Sequence, residues 1–573
     1  MGKNDMYTGA QILLKSLVKE GVKEIFGYPG GVIIPLYDAI YLQKDIKHYL
    51  VRHEQAAIHA AEGYSRVTGK CGVALVTSGP GACNAITGIA NAYYDGYPLV
   101  VFTGQVGLDQ IGNDAFQEAD MIGITRSCCK HNYLVKDVKD LARIIKEAFH
   151  IATTGKPGPV VIDLPKNILT SKTTFSYPKQ VKLVGYKPNY QGHPLQIIRA
   201  LELLCEAKKP VIISGGGVLH SDAHKELTEL AQLLQIPVCH TLMGTGTYPA
   251  DGPKYLGMLG MHGNYWANNA VMKADVIFAV GTRFNDRITG CLKTFAKDSR
   301  IIHIDIDPCS ISKNVKVDIP IVGCAKNVLE AMLKRVKDKN LEETINTEAR
   351  NKWFAKIDEW KQKRAIPRVD GTKLSAITVL NTIYEYTKNL DPVISTEVGQ
   401  HQMWTAQIFK FNKPRSFVTS GGLGTMGFGF PAAMGACAGA PYRPVINIAG
   451  DGSIQMNIQE MMTCVDYGFK VINCVMNNGY LGMVRQWQEK LCEKHYSETK
   501  ISSPDFVKLA ESYGALGIRV EKEEEIIPAL ERALASKTPV MIDFIVESFE
   551  MVYPWVLAGQ PLDNVILSDE CEV

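Results

Sequence analysis

The chain has 573 residues, 46% of them hydrophobic, and a formal net charge of +3. At roughly 100–200 residues per domain, that is room for about three or four domains. The near-neutral charge, with no Lys/Arg stripe, argues against nucleic acid as a partner, and no run approaches the ~18 uninterrupted apolar residues of a membrane helix.

The first residues, MGKNDMYTGAQILLKSLVKEG, lead directly into an amphipathic helix pattern. They have neither a signal-peptide core nor an Arg/Ser-rich transit bias. Met1-Gly2 fits a myristoylation start only superficially, because position 6 is Met. The 14 cysteines are scattered, with no C-x-x-C pair. This is the usage expected of reduced, buried thiols in a cytoplasmic protein, and it offers structural zinc no ligand set.

Residues 1–175 alternate helix patterns with the apolar runs KEIFGYP, GVALVTSG, YPLVVFTG and GPVVIDLP. That rhythm predicts a parallel sheet covered by helices. Ser171–Pro194 is polar and reads as a linker. Residues 195–335 repeat the rhythm with PVIISGGG, ADVIFAVG and RIIHIDIDP. Lys334–Arg368 is highly charged and reads as a solvated connector. Residues 372–550 carry PVISTEVGQ, RSFVTSGG, PVINIAGDG, KVINCVMNN and PVMIDFIV. The fold class is therefore α/β, with three doubly wound parallel-sheet domains. A faint repeat links the outer two. Thr77-Ser78-Gly79-Pro80-Gly81 precedes ACNAITGIANA, and Thr419-Ser420-Gly421-Gly422 precedes GTMGFGFPAAMGACAGA. Duplicated domains facing a shared site would explain this; chance likeness of glycine-rich turns is the alternative.

The chemistry concentrates at Asp451, which ends the strand pattern PVINIA between Gly450 and Gly452. The next strand, KVINCVM, ends at Asn477-Asn478. Both polar groups then lie at carboxyl ends of strands flanking one helix, where open parallel sheets bind ligands. A carboxylate, an amide oxygen and a following loop carbonyl are the hard oxygen donors Mg²⁺ takes alongside phosphate. The glycines permit close approach of a diphosphate, and a helix N-terminus adds attraction for the anion. Gly422-Leu-Gly424-Thr-Met-Gly427 fits G-x-G-x-x-G after a strand. No strand-end acid for a ribose follows about 20 residues on, so a dinucleotide site is rejected.

The Asp451–Asn478 pattern resembles that of thiamine diphosphate enzymes. GYPGGVIIPLYDAI, RHEQAAIHAAEGYSRVTGK, GNDAFQEAD, GQHQMW, GGLGTMGFGFPAA and LGMVRQWQE resemble the catalytic large subunit of acetolactate synthases, from about Tyr7 to Tyr553. The resemblance implies pyrimidine-binding, central FAD-binding and diphosphate-binding domains, with thiamine diphosphate, Mg²⁺ and FAD as cofactors. It makes Glu54 the acid that bonds the pyrimidine ring nitrogen; helix-dipole stabilisation is the other reading of this residue. In its apolar surroundings Glu54 is expected to have a raised pKa. Met426 becomes the wedge that bends the cofactor, rather than an ordinary core methionine. Gln117 and Pro80 become active-site residues contributed across a homodimer interface. Tyr28, Pro29, Thr77, Asn84, Val398, Gly399, Gln400, His401, Gly424, Gly450, Gly452, Ser453, Gly482 and Met483 complete the implied thiamine contacts. Asp451, Asn478 and the Tyr480 carbonyl are the implied metal ligands.

In the middle block the implied flavin contacts are Gly215, Gly216, Gly217, Thr241, Leu242, Gly260, Met261, His262, Gly263, Gly281, Arg283, Asp286, Arg287, Asp305, Ile306 and Gly323. Lys156 and Cys324 complete the set and depart from the family's usual Arg and Asp. A lysine cannot bond a carboxylate or phosphate bidentately, so weaker FAD binding is expected. A plain α/β domain whose arginines pair with acids is the alternative. Trp487, in VRQWQE, matches the tryptophan that favours 2-oxobutanoate as second substrate; a packed core Trp is the alternative. The implied reaction decarboxylates pyruvate and joins the two-carbon unit to a second 2-oxo acid, feeding branched-chain amino acid synthesis. A FAD-containing pyruvate oxidase or 2-oxo acid decarboxylase of the same family remains open, as do a dimer or tetramer and a regulatory small subunit.

Overall fold

The structure, a computed structural model, describes residues 5–362, 373–568 and 571–572. Three six-stranded sheets organise the chain. The first runs, in spatial order, Lys47–Leu50, Glu24–Gly27, Gly72–Val76, Leu99–Gln105, Pro159–Pro165 and His131–Leu134, all in parallel pairs. The middle sheet runs Tyr255–Met258, Val238–His240, Pro210–Ser214, Val276–Val280, Arg300–Asp305 and Ile319–Val322, again parallel. The third runs Phe417–Thr419, Val393–Thr396, Val445–Gly450, Val471–Asn477, Val540–Ile545 and Leu516–Val520. Central strands such as Leu99–Gln105 are buried along their whole length. Helices cover both faces of such a sheet, which is why these strands read as continuous apolar runs instead of alternating ones.

Numbered along the chain within each block, the strands of the first and third sheets share the order 2-1-3-4-6-5, whereas the middle sheet has 3-2-1-4-5-6. The duplication is therefore one of topology, but its register differs from the sequence expectation. Thr77 follows the third strand of its block, whereas Thr419 ends the second. The topological counterpart of Thr77–Gly81 is the Gly450–Gly452 turn. That of Ser420–Met426 is the turn leading to Glu54.

The chain packs as two compact units. One holds the first sheet and, but for Phe417, the third; the other holds the middle sheet. In the first unit the counterpart helices Glu54–Thr68 and Gly429–Gly439 press directly on each other. A Cβ on Gly63 would lie 2.0 Å from the Ala432 carbonyl oxygen, and one on Gly435 would lie 1.8 Å from that of Ala60. Only glycine permits this backbone approach. One core cluster of this unit correspondingly spans both sheets, joining Ala57, Ala60 and Ala61 to Phe428, Ala432 and Ala433.

In the second unit, Lys334–Arg368 is not the solvated connector its charge pattern predicts. Ala325–Lys339 and Thr347–Lys361 are helices, and Trp353, Ile357 and Trp360 are buried in the middle-sheet core. Three large apolar groups at helical spacing suffice to dock an otherwise charged helix. The Trp353 indole N–H donates to the Pro210 carbonyl at 3.1 Å. Residues 363–368 of that stretch, and residue 372 at the start of the third block, lie outside the described residues. The linker Ser171–Pro194 is partly tied down as well. Lys172–Thr174 pairs antiparallel with Met6–Thr8, and the Tyr177 hydroxyl donates to Glu20 at 2.7 Å. Among the described residues, no helix is long and apolar enough to cross a membrane, and the cysteines are free thiols.

Candidate active site

Asp451 begins the helix Asp451–Ile454 at the carboxyl end of Val445–Gly450, directly beside the end of Val471–Asn477. It is 1% exposed. Burial raises its pKa to about 6, opposed by a Gly479 N–H donated at 3.0 Å and a Ser503 hydroxyl at 3.1 Å. Asn478 Oδ1 accepts the Tyr480 N–H at 2.9 Å, so Asp451 and Asn478 together fold the 478–480 loop over the strand end. The Asn478 amide donates to Gln400 Oε1 at 3.4 Å, and Gln400 donates to Gln486 at 3.0 Å. Among the described residues no cluster of three His, Cys, Asp or Glu side chains could hold a metal. The donor set here is one buried carboxylate with amide and backbone oxygens, which suits a hard, phosphate-bound cation.

The same end is glycine-lined because side chains do not fit. A Cβ on Gly482 would fall 2.1 Å from Gln400 Oε1, and one on Gly452 would fall 2.9 Å from Leu481 and 3.3 Å from Met426 Cε. Met426 is half-buried beside that turn, and Gly399 and Gly424 adopt positive φ. His401 is buried, and burial lowers its pKa to about 3, so it stays neutral. Ser453 Oγ accepts the Gly450 N–H at 3.0 Å, and its hydroxyl donates to the Gly450 carbonyl at 3.2 Å. Val398 and Met483 are half-buried at the edges of this cradle.

At the corresponding end of the first sheet, Glu54 opens its helix half-buried, and the Asn84 amide donates to Oε2 at 3.0 Å. A Cβ on Gly81 would sit 3.0 Å from Glu54 Oε1. Thr77 and Ser78 are buried with hydroxyls that meet no protein partner. Gln117 has positive φ, and its backbone lies against Gly79, where a Cβ would meet the Gln117 carbonyl oxygen at 2.7 Å. Tyr28, Pro29, Pro80 and Asn84 are exposed. Trp487 lies on Gly482–Leu491 and is half-buried rather than sealed in a core.

The flavin candidates other than Lys156 follow the carboxyl ends of the six middle-sheet strands. Gly215–Gly217, Thr241–Leu242, Gly260–Gly263, Gly281–Arg287, Asp305–Ile306 and Gly323–Cys324 occupy those turns in succession. Part of the glycine pattern serves packing. Cβ atoms on Gly215 and Gly217 would lie 2.2 and 2.7 Å from Gly281 backbone atoms. Arg287 is exposed, near Asp286 at 3.6 Å, and Arg283 is half-buried. His262 is buried, its pKa lowered to about 4 by burial, with Nδ1 3.2 Å from the Pro554 carbonyl oxygen. The Thr241 hydroxyl accepts the Gly244 N–H at 3.2 Å. Asp305 accepts the Asp307 N–H at 2.9 Å. Cys324 is the N-cap of Ala325–Lys339 and supplies no side-chain bond there. Lys156 belongs to the first unit, its ammonium 5.7 Å from the Tyr93 ring centre.

Sequence reasoning missed one acid at this end. Glu397 directly precedes Val398 and is wholly buried, and burial raises its pKa to about 7. One oxygen accepts the Gly427 N–H at 3.2 Å while the other has no partner. The signal was present: Glu397 follows an apolar strand just as Asp451 does.

Three family descriptions match this layout. "Thiamine pyrophosphate enzyme, N-terminal TPP binding domain" covers residues 7–124, the central domain 197–332, and the "C-terminal TPP binding domain" 397–544. The fold and the three matches place the chain among thiamine pyrophosphate enzymes. Its relatives narrow this. The acetolactate synthase isozyme 3 large subunit of Escherichia coli (strain K12) is 46% identical over 98% of this chain and 99% of its own. The acetolactate synthase large subunit of Haemophilus influenzae is 46% identical over 98% of both chains. A probable acetolactate synthase large subunit of Methanocaldococcus jannaschii is 48% identical over 97% and 95%. The chain belongs to the acetolactate synthase large-subunit family.

Proposed function

We propose that the chain is the catalytic subunit of an acetolactate synthase. It decarboxylates pyruvate and ligates the two-carbon unit to a second pyruvate or to 2-oxobutanoate, in valine, leucine and isoleucine synthesis. The observation that carries the reading is the sealed Asp451 carboxylate bound to the 478–480 loop at adjacent strand ends. In this reading Asp451, Asn478 and the Tyr480 carbonyl hold Mg²⁺ and, through it, a diphosphate. Glu54 would bond the pyrimidine ring of the cofactor, and Met426 would pack against it. Thiamine diphosphate, when bound, supplies the electron sink for decarboxylation and carbon–carbon bond formation. The exposed faces of Pro80 and Asn84 and the half-open Glu54 suit a site completed by a second copy of the chain.

FAD is proposed for the middle sheet, on the turns from Gly215 to Cys324 and with Arg283 and Arg287 as charge partners. The reaction involves no net redox, so the flavin's role there is structural. A regulatory small subunit fits the family name of the relatives. Trp487, half-buried beside the cradle, offers a flat apolar wall to the extra methylene of 2-oxobutanoate. Such a methylene is worth about 1–3 kcal/mol of discrimination. Product analysis from pyruvate, with thiamine diphosphate, Mg²⁺ and FAD supplied, tests the whole. Acetolactate is expected. Acetaldehyde, acetyl phosphate or peroxide would keep the thiamine site and replace the synthase with a decarboxylase or oxidase.

A further inference from the structure

Four buried side chains of the first domain form one bonded cluster, and two of them, Asn91 and Asp95, reach the glycine-rich turn that leads to Met426. Arg66 donates to Glu62 Oε1 at 2.6 Å and to Asp95 Oδ2 at 2.5 Å. The Asn91 amide donates to the other Glu62 oxygen at 2.9 Å. All four are out of solvent. Glu62 and Asp95 share the one guanidinium, burial raises the Glu62 pKa, and buried carboxyl groups are tolerated only when further donors meet them.

Those donors come from the third domain. The Gly422 and Gly421 N–H groups donate to Asp95 at 2.6 and 3.2 Å. The Ser420 and Thr425 hydroxyls donate to Asn91 Oδ1 at 2.6 and 2.9 Å, and the Thr425 N–H donates to Ser420 Oγ at 2.8 Å. Gly422 is glycine because a Cβ would meet Asp95 Oδ1 at 2.6 Å. The arrangement also explains the misleading G-x-G-x-x-G pattern. The amides that would cradle a dinucleotide's pyrophosphate are already bound to a carboxylate of the same chain.

We propose that Asp95 and Asn91 are positioning residues for the thiamine site. They fix the backbone of Ser420–Thr425 so that Gly424 and Met426 hold their cofactor-ready geometry before any cofactor arrives. The cofactor half of this inference rests on the reading of Gly424 and Met426 given above. A preformed turn removes part of the ordering cost of binding, so loosening it weakens affinity without touching a cofactor contact.

Full-length wild type, Ser420→Ala and Asp95→Asn are compared without cofactor by hydrogen exchange, and with thiamine diphosphate and Mg²⁺ by fluorescence titration. Ser420→Ala removes two bonds within a neutral environment and is the milder change. The expected result is exchange at least about tenfold faster at Gly421–Thr425, and affinity weaker by about tenfold or more, in line with the loss of the two buried hydrogen bonds. The apo melting temperature of Ser420→Ala should stay within a few degrees of wild type. Asp95→Asn should show larger changes of the same kind. Unchanged exchange at Gly421–Thr425 in both variants overturns the bridge as a positioning device. Faster exchange with unchanged affinity overturns its link to the cofactor. A wild-type chain that takes up no thiamine diphosphate overturns the site reading itself, and the exchange data still decide whether the bridge orders the turn.

Discussion

The first and third sheets share one strand order and put it to opposite uses. At the third, the strand end is closed: Asp451 is sealed, its neighbours are bonded to one another, and Gly452 and Gly482 have no room for a Cβ. At the first, Glu54 is half-open and Pro80 and Asn84 face outward. In the proposed function the duplicated scaffold divides the site into a seat that binds, at Asp451, and an arm that acts, at Glu54. The middle sheet, with a different strand order, stands outside that pair.

The division is broken most directly at its two acids. Asp451→Asn should lower affinity for thiamine diphosphate and Mg²⁺ by about 100-fold or more, because a charged ligand is lost. Glu54→Gln should keep that affinity within severalfold and cut kcat by about 10²–10⁴. Calorimetric titration and steady-state rates on both variants separate the two; equal losses of affinity would erase the distinction between seat and arm.

Next in size is the contact between the counterpart helices. Gly435→Val places a side chain 1.8 Å from the Ala60 carbonyl oxygen, where only a backbone shift can make room. A loss of about 3 kcal/mol is expected, seen as a lower unfolding midpoint and reduced yield of folded protein.

A subtler test uses equivalent acids on the last strands. Asp163 and Asp543 follow PVVI and PVMI. Burial raises Asp163 to about 7, although the Thr103 hydroxyl (2.7 Å) and Gln105 amide (3.0 Å) donate to it. Burial also raises Asp543, but Asn477 and Arg519 oppose the rise. A carboxyl whose folded pKa is raised binds its proton more tightly in the folded state. Its favourable contribution is full below its ordinary value of 3.8 and is lost as pH rises to about 7. Wild type should therefore lose stability relative to Asp163→Asn between about pH 4 and 7, by up to about 4 kcal/mol, and then level off. Asp543→Asn should show the same sign and a smaller change. Urea midpoints across pH measure both.

The smallest effect belongs to the middle sheet. Cys324→Asp supplies the missing N-cap of Ala325–Lys339 and should add about 0.5–1 kcal/mol in urea unfolding. No change would mean that the helix end is already satisfied by other groups.

The sequence showed the central strands well and the sheet edges poorly. Leu99–Gln105 or Val445–Gly450, buried on both faces, are continuous apolar runs. Lys47–Leu50, His131–Leu134 and Leu516–Val520 lie at edges and carry the mixed composition that partial exposure allows, and the edge strands Tyr255–Met258 and Ile319–Val322 are only four residues long and broken by Gly257 and Pro320. Lys334–Arg368 misled because charge counts hide three well-spaced anchors, Trp353, Ile357 and Trp360. Within the site, Asp451 and Asn478 were visible because both end strands. Glu397 announced itself equally but was passed over. The Asp95–Gly422 bridge joins groups more than 300 residues apart, and no local pattern encodes it.

The close pairing of Glu54–Thr68 with Gly429–Gly439 also sets a timetable. During synthesis the second helix follows the first by about 360 residues, a delay of roughly 20–70 s at ordinary translation rates. Through that interval the alanine face of the first helix has no native cover. Slowing or splitting translation near residue 430 should therefore cost more soluble protein than the same change further downstream, as the soluble yield of the two would show.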